Sequence, residues 1–477
     1  MTTAVSTRGQ LAGARPTAHL LSSIPTTRVE RLAACTGMLI LAYGPPTEWL
    51  SAPGPDYTGA SGTATTTFLV VAAVGLFGLA STRFAIGPFL DQLRGEIFLP
   101  LFCALAVAST FWSTVPGITL RLTATMLAVT FVGYWLAVRF PLSQIIGLAA
   151  VTLSLGTVLQ LAVIKVAPQY AAVGSEWVGF AKNRNVFGRS VSLAILVLFL
   201  ASRIYQRYRV AIWVVLAMNV VMLVKADSKT SLVASAAIPA MYVTFSVFRA
   251  RRTLYGAVAI VMGGALVGLI TTATSNIGAI STALDRSPDL SSRTPIWDAV
   301  IPEIWKTPVF GHGWAGFFTD DVAGPARFVY ARVGLIPHAH DALLNIALDL
   351  GLVGAALVLG FYLRLIVRGA RVARYYRGPV GMFPLMYAGY VLLVSVTEFG
   401  VITNDLHYVL FVVAIASAVP GRRDELGGIA GLGATAPRRA AASSLRRRPE
   451  LTVWTDELTL AGSPALSNPS RSSERGS

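Results

Sequence analysis

Long apolar runs separated by short charged segments dominate this chain and leave it few ways to fold. They fall near 32–49, 65–82, 96–112, 120–138, 142–164, 187–203, 209–225, 231–248, 254–274, 341–363, 380–397 and 402–420. A helix needs roughly 20 mostly apolar residues to cross a bilayer. In lipid each backbone polar group must be satisfied within its own segment, so runs of this length are read as helices. Composition agrees: 54% of the residues are hydrophobic and 13% charged, against about 25% charged in soluble domains. The expectation is an all-α polytopic integral membrane protein with about 12 transmembrane helices and one large external loop. The first run is the weakest, because "YGPPTEW" interrupts it. No internal repeat is visible.

The net charge of +16 invites a nucleic-acid reading. Its placement argues against one, because the arginines flank the apolar runs, which is how membrane topology is written. With the N-terminus in the cytoplasm, the short inside loops hold Arg83, Arg94, Arg139, Arg203, Arg207, Arg209, "RARR" at 249–252, Arg364, Arg368, Arg371, Arg374 and Arg377. The expected organisation is a cytoplasmic tail at 1–31, a transmembrane region at 32–420 with an external loop at 275–340, and a disordered cytoplasmic tail at 421–477. That last tail is rich in Arg, Ser, Pro and Ala and suits contact with anionic lipid. Residues 1–31 lack the apolar stretch of a cleaved signal peptide. Cys35 and Cys103 both fall in expected helices, where packing is their role and neither a disulfide nor a metal site is indicated.

The lysines break the arginine pattern. All five, Lys165, Lys182, Lys225, Lys229 and Lys306, fall on the outer side of this topology, joined by Arg184, Arg189, Arg286 and Arg293. Two readings are open. Long basic side chains snorkel to whichever interface is near, or an anion binds there. "KNRNVFGRS" (182–190) and "KADSKTS" (225–231) each set several donors at a helix mouth. Lysine meets a diphosphate as a point charge and arginine through paired hydrogen bonds. A lipid-linked diphosphate rests at that depth, and cations there make it a better leaving group.

The long outer loop carries "RTPIWDAVIPEIWKTPVFGHGWAGF" and ends at "PHAHD". "IWDAVIPEIW" has helical apolar spacing and reads as a short surface helix, and "GHGW" as a turn. Loops this long are usually functional. His338 and His340 precede a helix start, with Asp341 as its N-cap. An imidazole there can take a proton from a sugar hydroxyl near neutral pH. The same pair can equally be polar loop residues at the interface, or zinc ligands with Asp341 and the remote His312. No Asp-x-Asp occurs in the chain, which leans against metal-dependent nucleotide-sugar chemistry.

From about 176 to 363 these residues resemble the O-antigen ligase and Wzy-type polymerase superfamily of bacterial envelope glycosyltransferases. "RNVFG" (184–188) resembles that family's Lys/Arg-Asn-x-x-Gly stretch, and "SKTSLVASA" (228–236) its Ser-Arg helix opening, with Lys229 in the Arg place. The outer-loop stretch resembles its Arg…Trp…Pro…Gly-x-Gly pattern. "HDALLNIALDLGLVG" resembles its His signature, His340 lying eleven positions before Gly351. Asp341 departs from the family's Asn, Ser or Gln. The resemblance implies a GT-C-like fold in the cytoplasmic (inner) membrane, with the active site on the external side. It implies metal-independent, inverting transfer of glycan from an undecaprenyl-diphosphate carrier to an acceptor glycan or glycolipid, with no cofactor. Catalysis would fall to His340 and Arg293, diphosphate binding to Lys182, Arg184, Arg189, Lys225 and Lys229, and support to Asn185, Asp341 and Gly351. The implied partners are the lipid-linked oligosaccharide, the acceptor, the bilayer and other polysaccharide-assembly proteins. Abundant Ala, Gly and Arg with few Lys reflect a GC-rich genome, which tips the expectation toward an exopolysaccharide or capsule polymerase over a ligase. A transporter or flippase is the alternative; it would call for charges such as Asp349 and Asp405 inside spans, or broken helices in matching halves. A scaffold without chemistry leaves the lysine sidedness and the histidine signature unexplained.

Overall fold

The computed structural model describes residues 25–46, 49, 62–82, 87–181, 183–248, 293–319, 321, 323–376, 378–395, 402 and 404–419. The expected span at 254–274, the tail at 421–477, Lys182 and Arg286 lie outside the described residues. Within them the chain is almost entirely helical. The helices are α1 (Arg28–Tyr43), α2 (Gly62–Ser81), α3 (Gly87–Gly95), α4 (Phe98–Ala108), α5 (Pro116–Arg139), α6 (Leu142–Val166), α7 (Arg184–Ile204), α8 (Arg209–Lys225), α9 (Lys229–Phe248), α10 (Thr294–Ile304), α11 (Arg327–Val333), α12 (Ala342–Tyr375), α13 (Pro379–Ser395) and α14 (Leu406–Ser417). A small antiparallel hairpin, β1 (Ala172–Val173) and β2 (Glu176–Trp177), sits between α6 and α7.

Length and apolar character sufficient to cross a membrane belong to six helices among the described residues: α5, α6, α7, Gln206–Lys225, Lys229–Val247 and α12. The bent pair of α3 and α4 raises this to seven. The expected count of about 12 is therefore not what the described helices give. Phe68–Ser81, α13 and α14 are shorter apolar helices. The last of them shows what hydropathy alone leaves open. Every residue of α14 is buried, with α1, α5, α12 and α13 packed around it. A helix apolar on all sides fits the interior of a large bundle as well as it fits lipid. By contrast, only 22% and 28% of the apolar windows in α8 and α9 are buried, which suits them to face lipid.

Three local features depart from the sequence reading. Arg139, expected as a loop charge, is buried against Glu30, with Nε 2.6 Å from Oε1 and Nη2 2.9 Å from Oε2. Glu30 also closes a capping box with Thr27 at the start of α1, which satisfies two otherwise orphaned N–H groups. The run expected as one span at 96–112 follows a corner, since α3 and α4 meet at 97°. Glu96 sits buried in that corner and takes Arg364 at 3.3 Å and Arg368 at 3.2 Å.

The third departure concerns the run expected at 341–363. It becomes the 34-residue α12, interrupted at Gly351, where φ is 67° and ψ −170°. The turn at 308–313 docks into this break. His312 N–H donates to Leu348 O (3.0 Å) and Gly313 N–H to Asp349 O (2.8 Å), while Leu352 N–H donates to Pro308 O (2.7 Å). A Cβ at 351 would run into the backbone of Val309. Only glycine combines that approach with positive φ at little cost.

Candidate functional site

The N-terminus of α7 is built by Asn183, whose Oδ1 accepts from Asn185 N–H (2.8 Å) and Val186 N–H (3.3 Å), a standard cap. Arg184 follows and pairs with Glu176 on β2. One turn on, Gly188 lacks the Cβ that would collide with Ser228. The two basic stretches picked out by sequence, 182–190 and 225–231, thus meet here. Lys225 ends α8 and Lys229 opens α9 at this contact, both exposed. Lys229 Nζ lies 3.8 Å from Asp227. Ser235 and Ser192 extend the seam with a 2.9 Å hydrogen bond.

Arg189 has a different partner. It is buried, and its Nη2 donates to Asp405 Oδ2 at 2.7 Å. Asp405 also caps α14 through Tyr408 N–H (3.2 Å) and lies 3.4 Å from His407 Nδ1. Tyr390 OH donates to Arg189 O at 3.1 Å. Arg189 nevertheless belongs to the histidine region, because its charge acts on His338.

That region lies where the segment 336–341 turns into α12. Asp341 is the N-cap, its carboxylate accepting from Leu344 N–H at 2.8 Å. His340 before it has φ +53°. An L residue in the left-handed region costs roughly 1–2 kcal/mol and persists where its surroundings over-determine it. The restraint is visible. Ala339, fully buried, donates its N–H to Asn345 Oδ1 (3.2 Å) and accepts from Trp297 Nε1–H (3.1 Å). Asn345 in turn donates to Asp349 Oδ2 (3.2 Å), whose other oxygen accepts from Phe317 N–H (3.4 Å). His340 N–H donates to His338 Nδ1 at 3.2 Å. The two rings lie 4.1 Å apart.

Electrostatics follow from this crowding. Arg293 stands at the N-cap of α10, and its charge acts on His338, His340 and Asp341. Burial first, then Arg293, holds the His340 imidazole down to about 4. Burial, the neighbouring His340, Arg189 and Arg293 hold His338 down to about 3. Burial pushes the Asp341 carboxyl up, opposed by the N–H groups of Leu344 and Leu343 and by Arg293. Both imidazoles are therefore neutral at neutral pH. His340 Nδ1 is buried and has no hydrogen-bond partner among the described residues. An unsatisfied buried polar atom costs about 1–3 kcal/mol, so a hydrogen-bond partner brought to this ring is stabilising.

The other described histidines are committed elsewhere. His338 Nδ1 is used by the His340 backbone. His312 Nδ1 sits on Leu348 O at 3.0 Å and near Thr307 Oγ1, fixing the docked turn. His407 lies between Asp405 and Tyr390. Among the described residues no three His, Cys, Asp or Glu side chains gather as a metal-ligand set.

The structure thus brings Arg189, Arg293, His338, His340 and Asp341 together. It sets Arg184, Asn185, Lys225 and Lys229 around the neighbouring α7 mouth and gives Gly351 to the helix break. Trp297, Asn345 and Asp349 were not picked out as support for the histidines. Asn345 and Asp349 lie four apart inside an apolar run, the spacing that stacks side chains on one helix face, and that was the available signal. Asp349 and Asp405 are both engaged by neighbouring groups, so neither has the open character of an ion-pathway carboxylate.

Residues 214–359 match a family model described as Wzy_C, O-antigen ligase. A search of curated proteins gives no match. The matched segment contains Lys225, Lys229, Trp297, both site histidines, Asn345 and the Gly351 break, while Arg184 and Arg189 precede it. Residues 214–359 are therefore similar to the O-antigen ligase family, in a chain whose described residues include six helices long and apolar enough to cross a membrane.

Proposed function

We propose that this protein transfers glycan from an undecaprenyl-diphosphate carrier to an acceptor sugar hydroxyl at the outer face of the cytoplasmic membrane, as a polymerase of exopolysaccharide or capsule rather than a ligase. The observation that carries this reading is His340. It is a neutral imidazole with an unpartnered ring nitrogen, held beside Arg293 at the mouth of an apolar helix, inside the segment matched to an enzyme family.

The chemistry divides between the two groups. The acceptor oxygen attacks the anomeric carbon from the face opposite the diphosphate, forming the new glycosidic bond and inverting that centre. The carbon–oxygen bond to the carrier breaks, and its electron pair stays on the diphosphate. The acceptor hydroxyl donates its hydrogen bond to the His340 ring, which takes the proton as the bond forms. Arg293, with Arg184, Arg189, Lys225 and Lys229, offsets charge growing on the departing diphosphate. A bound diphosphate also counters the charge of Arg293, which after burial depresses the His340 basicity, so the base strengthens when donor is present. The transport alternative is less well supported, because the break in α12 is stitched shut by the 308–313 turn.

Reconstitution with a lipid-diphosphate oligosaccharide tests the reading. Products longer than one repeat support a polymerase, and transfer to a distinct acceptor replaces it with a ligase. Movement of the lipid across the bilayer without new bonds refutes both.

A further inference from the structure

The His340 turn is gripped by groups that no part of the reaction above uses. Ala339 precedes His340, and both polar atoms of its backbone are held by side chains from different helices. Asn345 Oδ1 of α12 takes its N–H, and the Trp297 indole of α10 holds its carbonyl. The Asn345 amide cannot flip freely, because its Nδ2 is committed to Asp349. Asp349 is fixed from the far side by Phe317 N–H in the docked loop. The residue after this grip holds positive φ without being glycine. A tie on the preceding peptide is what keeps such a turn from relaxing to the ordinary region, and with it the direction of the ring.

We infer that Asn345, oriented by Asp349, and Trp297 are positioning residues that present the His340 imidazole to the acceptor hydroxyl. The inference deepens the proposed function and rests on it. Neither residue touches substrate, and each acts through the backbone of Ala339. Two consequences separate this from general support of the fold. Loss of either grip leaves donor binding intact, because Arg184, Arg189, Lys225 and Lys229 sit on α7 to α9, and Trp297→Phe keeps the α10 backbone that Arg293 caps. The loss also acts only where there is an imidazole to aim.

The test uses the full chain in lipid vesicles with a lipid-diphosphate oligosaccharide, comparing Asn345→Ala, Trp297→Phe, His340→Gln and both double variants. Trp297→Phe removes the N–H and keeps an aromatic ring, so it answers even where Asn345→Ala fails to fold. Each single positioning variant is expected to lower kcat about 10- to 100-fold, within the range a misplaced base gives up, with KM for the donor within about twofold. In the His340→Gln background each is expected to add less than threefold, because residues acting through one group are not additive. A histidine NMR titration gives a reading independent of turnover. The His340 resonance, depressed in the parent, is expected to titrate closer to the ordinary 6.5 in Trp297→Phe as the turn relaxes. Full kcat in Trp297→Phe, or equal losses with and without His340, overturns the positioning role. Wild-type turnover in His340→Gln and His340→Ala instead overturns the proposed function itself, and the titration then still reports whether the grip orients the ring.

Discussion

The two ends of α12 use charge in opposite ways. Near its C-terminal half, Arg364 and Arg368 converge on the buried Glu96, and close by in kind Arg139 is sealed against Glu30, each carboxylate almost fully buried. At its N-terminal end, the half-buried His340 keeps an unpartnered ring nitrogen. One end holds charges that fasten helices to each other. The other holds polar groups that the protein leaves incompletely matched. A ligand gains most from groups the fold has not already satisfied, which is why the proposed chemistry is assigned to the histidine end.

Substitution at His340 should break this contrast most sharply. His340→Ala is expected to lose about 10² to 10⁴ in turnover while inserting and folding normally, measured as product per folded protein. His338→Ala should stay within roughly tenfold, since its ring serves the turn and not the proton path. His340→Gln should keep part of the rate, because an amide still accepts a hydrogen bond.

The fastened end should answer in stability instead. Glu96→Ala strands two arginines, and breaking such a buried pair costs about 3–5 kcal/mol. Thermal unfolding in detergent should fall accordingly, with turnover of the surviving folded fraction near the parent value. A selective loss of kcat without loss of stability would move that end into the reaction.

Among the cations proposed to meet the diphosphate, a graded loss is expected. Arg293→Ala should cost about 2–5 kcal/mol of transition-state stabilisation, the range for an anion losing a close charged partner. Lys229→Ala should cost less than about 1 kcal/mol, because exposed charges are screened, and Lys229→Arg should be nearly silent. Equal losses at both positions would erase the distinction between Arg293 and the outlying lysine.

The gentlest probe is pH. With the His340 folded-state value near 4 and the ordinary value 6.5, the imidazole stays neutral through pH 6. The acid limb of kcat/KM should therefore lie below 6, where an ordinary histidine would already have lost most activity at pH 5.5. The linked stability has the opposite sense to that of a histidine with an acidic partner. The unfolded chain takes up the proton first, so stability is fully present above 6.5 and declines as pH falls toward 4.

How much of this was legible in the sequence depends on how local each signal is. The "IWDAVIPEIW" helix, the "GHGW" turn and the Asp341 cap were readable because each is decided within a few residues. Helices α5 to α9 were readable from apolar length. The corner between α3 and α4 was not, because Glu96 gains its meaning from Arg364 and Arg368, some 270 positions away. The same holds for Arg139, an ordinary topological arginine until Glu30 is placed beside it. Hydropathy counts residues and is blind to partners. It also cannot tell a helix wrapped by lipid from α14, which is wrapped by protein. The histidines were legible through their motif, whereas the hold on them was not, since Trp297 reaches Ala339 across separate segments.

The break at Gly351 bears on how the molecule is assembled. Residues 342–363 are apolar enough to enter a bilayer as an uninterrupted helix, and at that moment each backbone group is satisfied within the segment. The final form exchanges some of those internal bonds for bonds to the 308–313 turn, which is synthesised earlier and must come to rest on the inserted helix. Insertion and maturation are then separate events, with the second completing the register between loop and helix. A Gly351→Ala chain is expected to insert with the usual topology yet stall before the loop docks, leaving the 308–313 region open to limited proteolysis in intact vesicles. Equal protection of parent and variant would mean that the break is already formed when the segment enters the membrane.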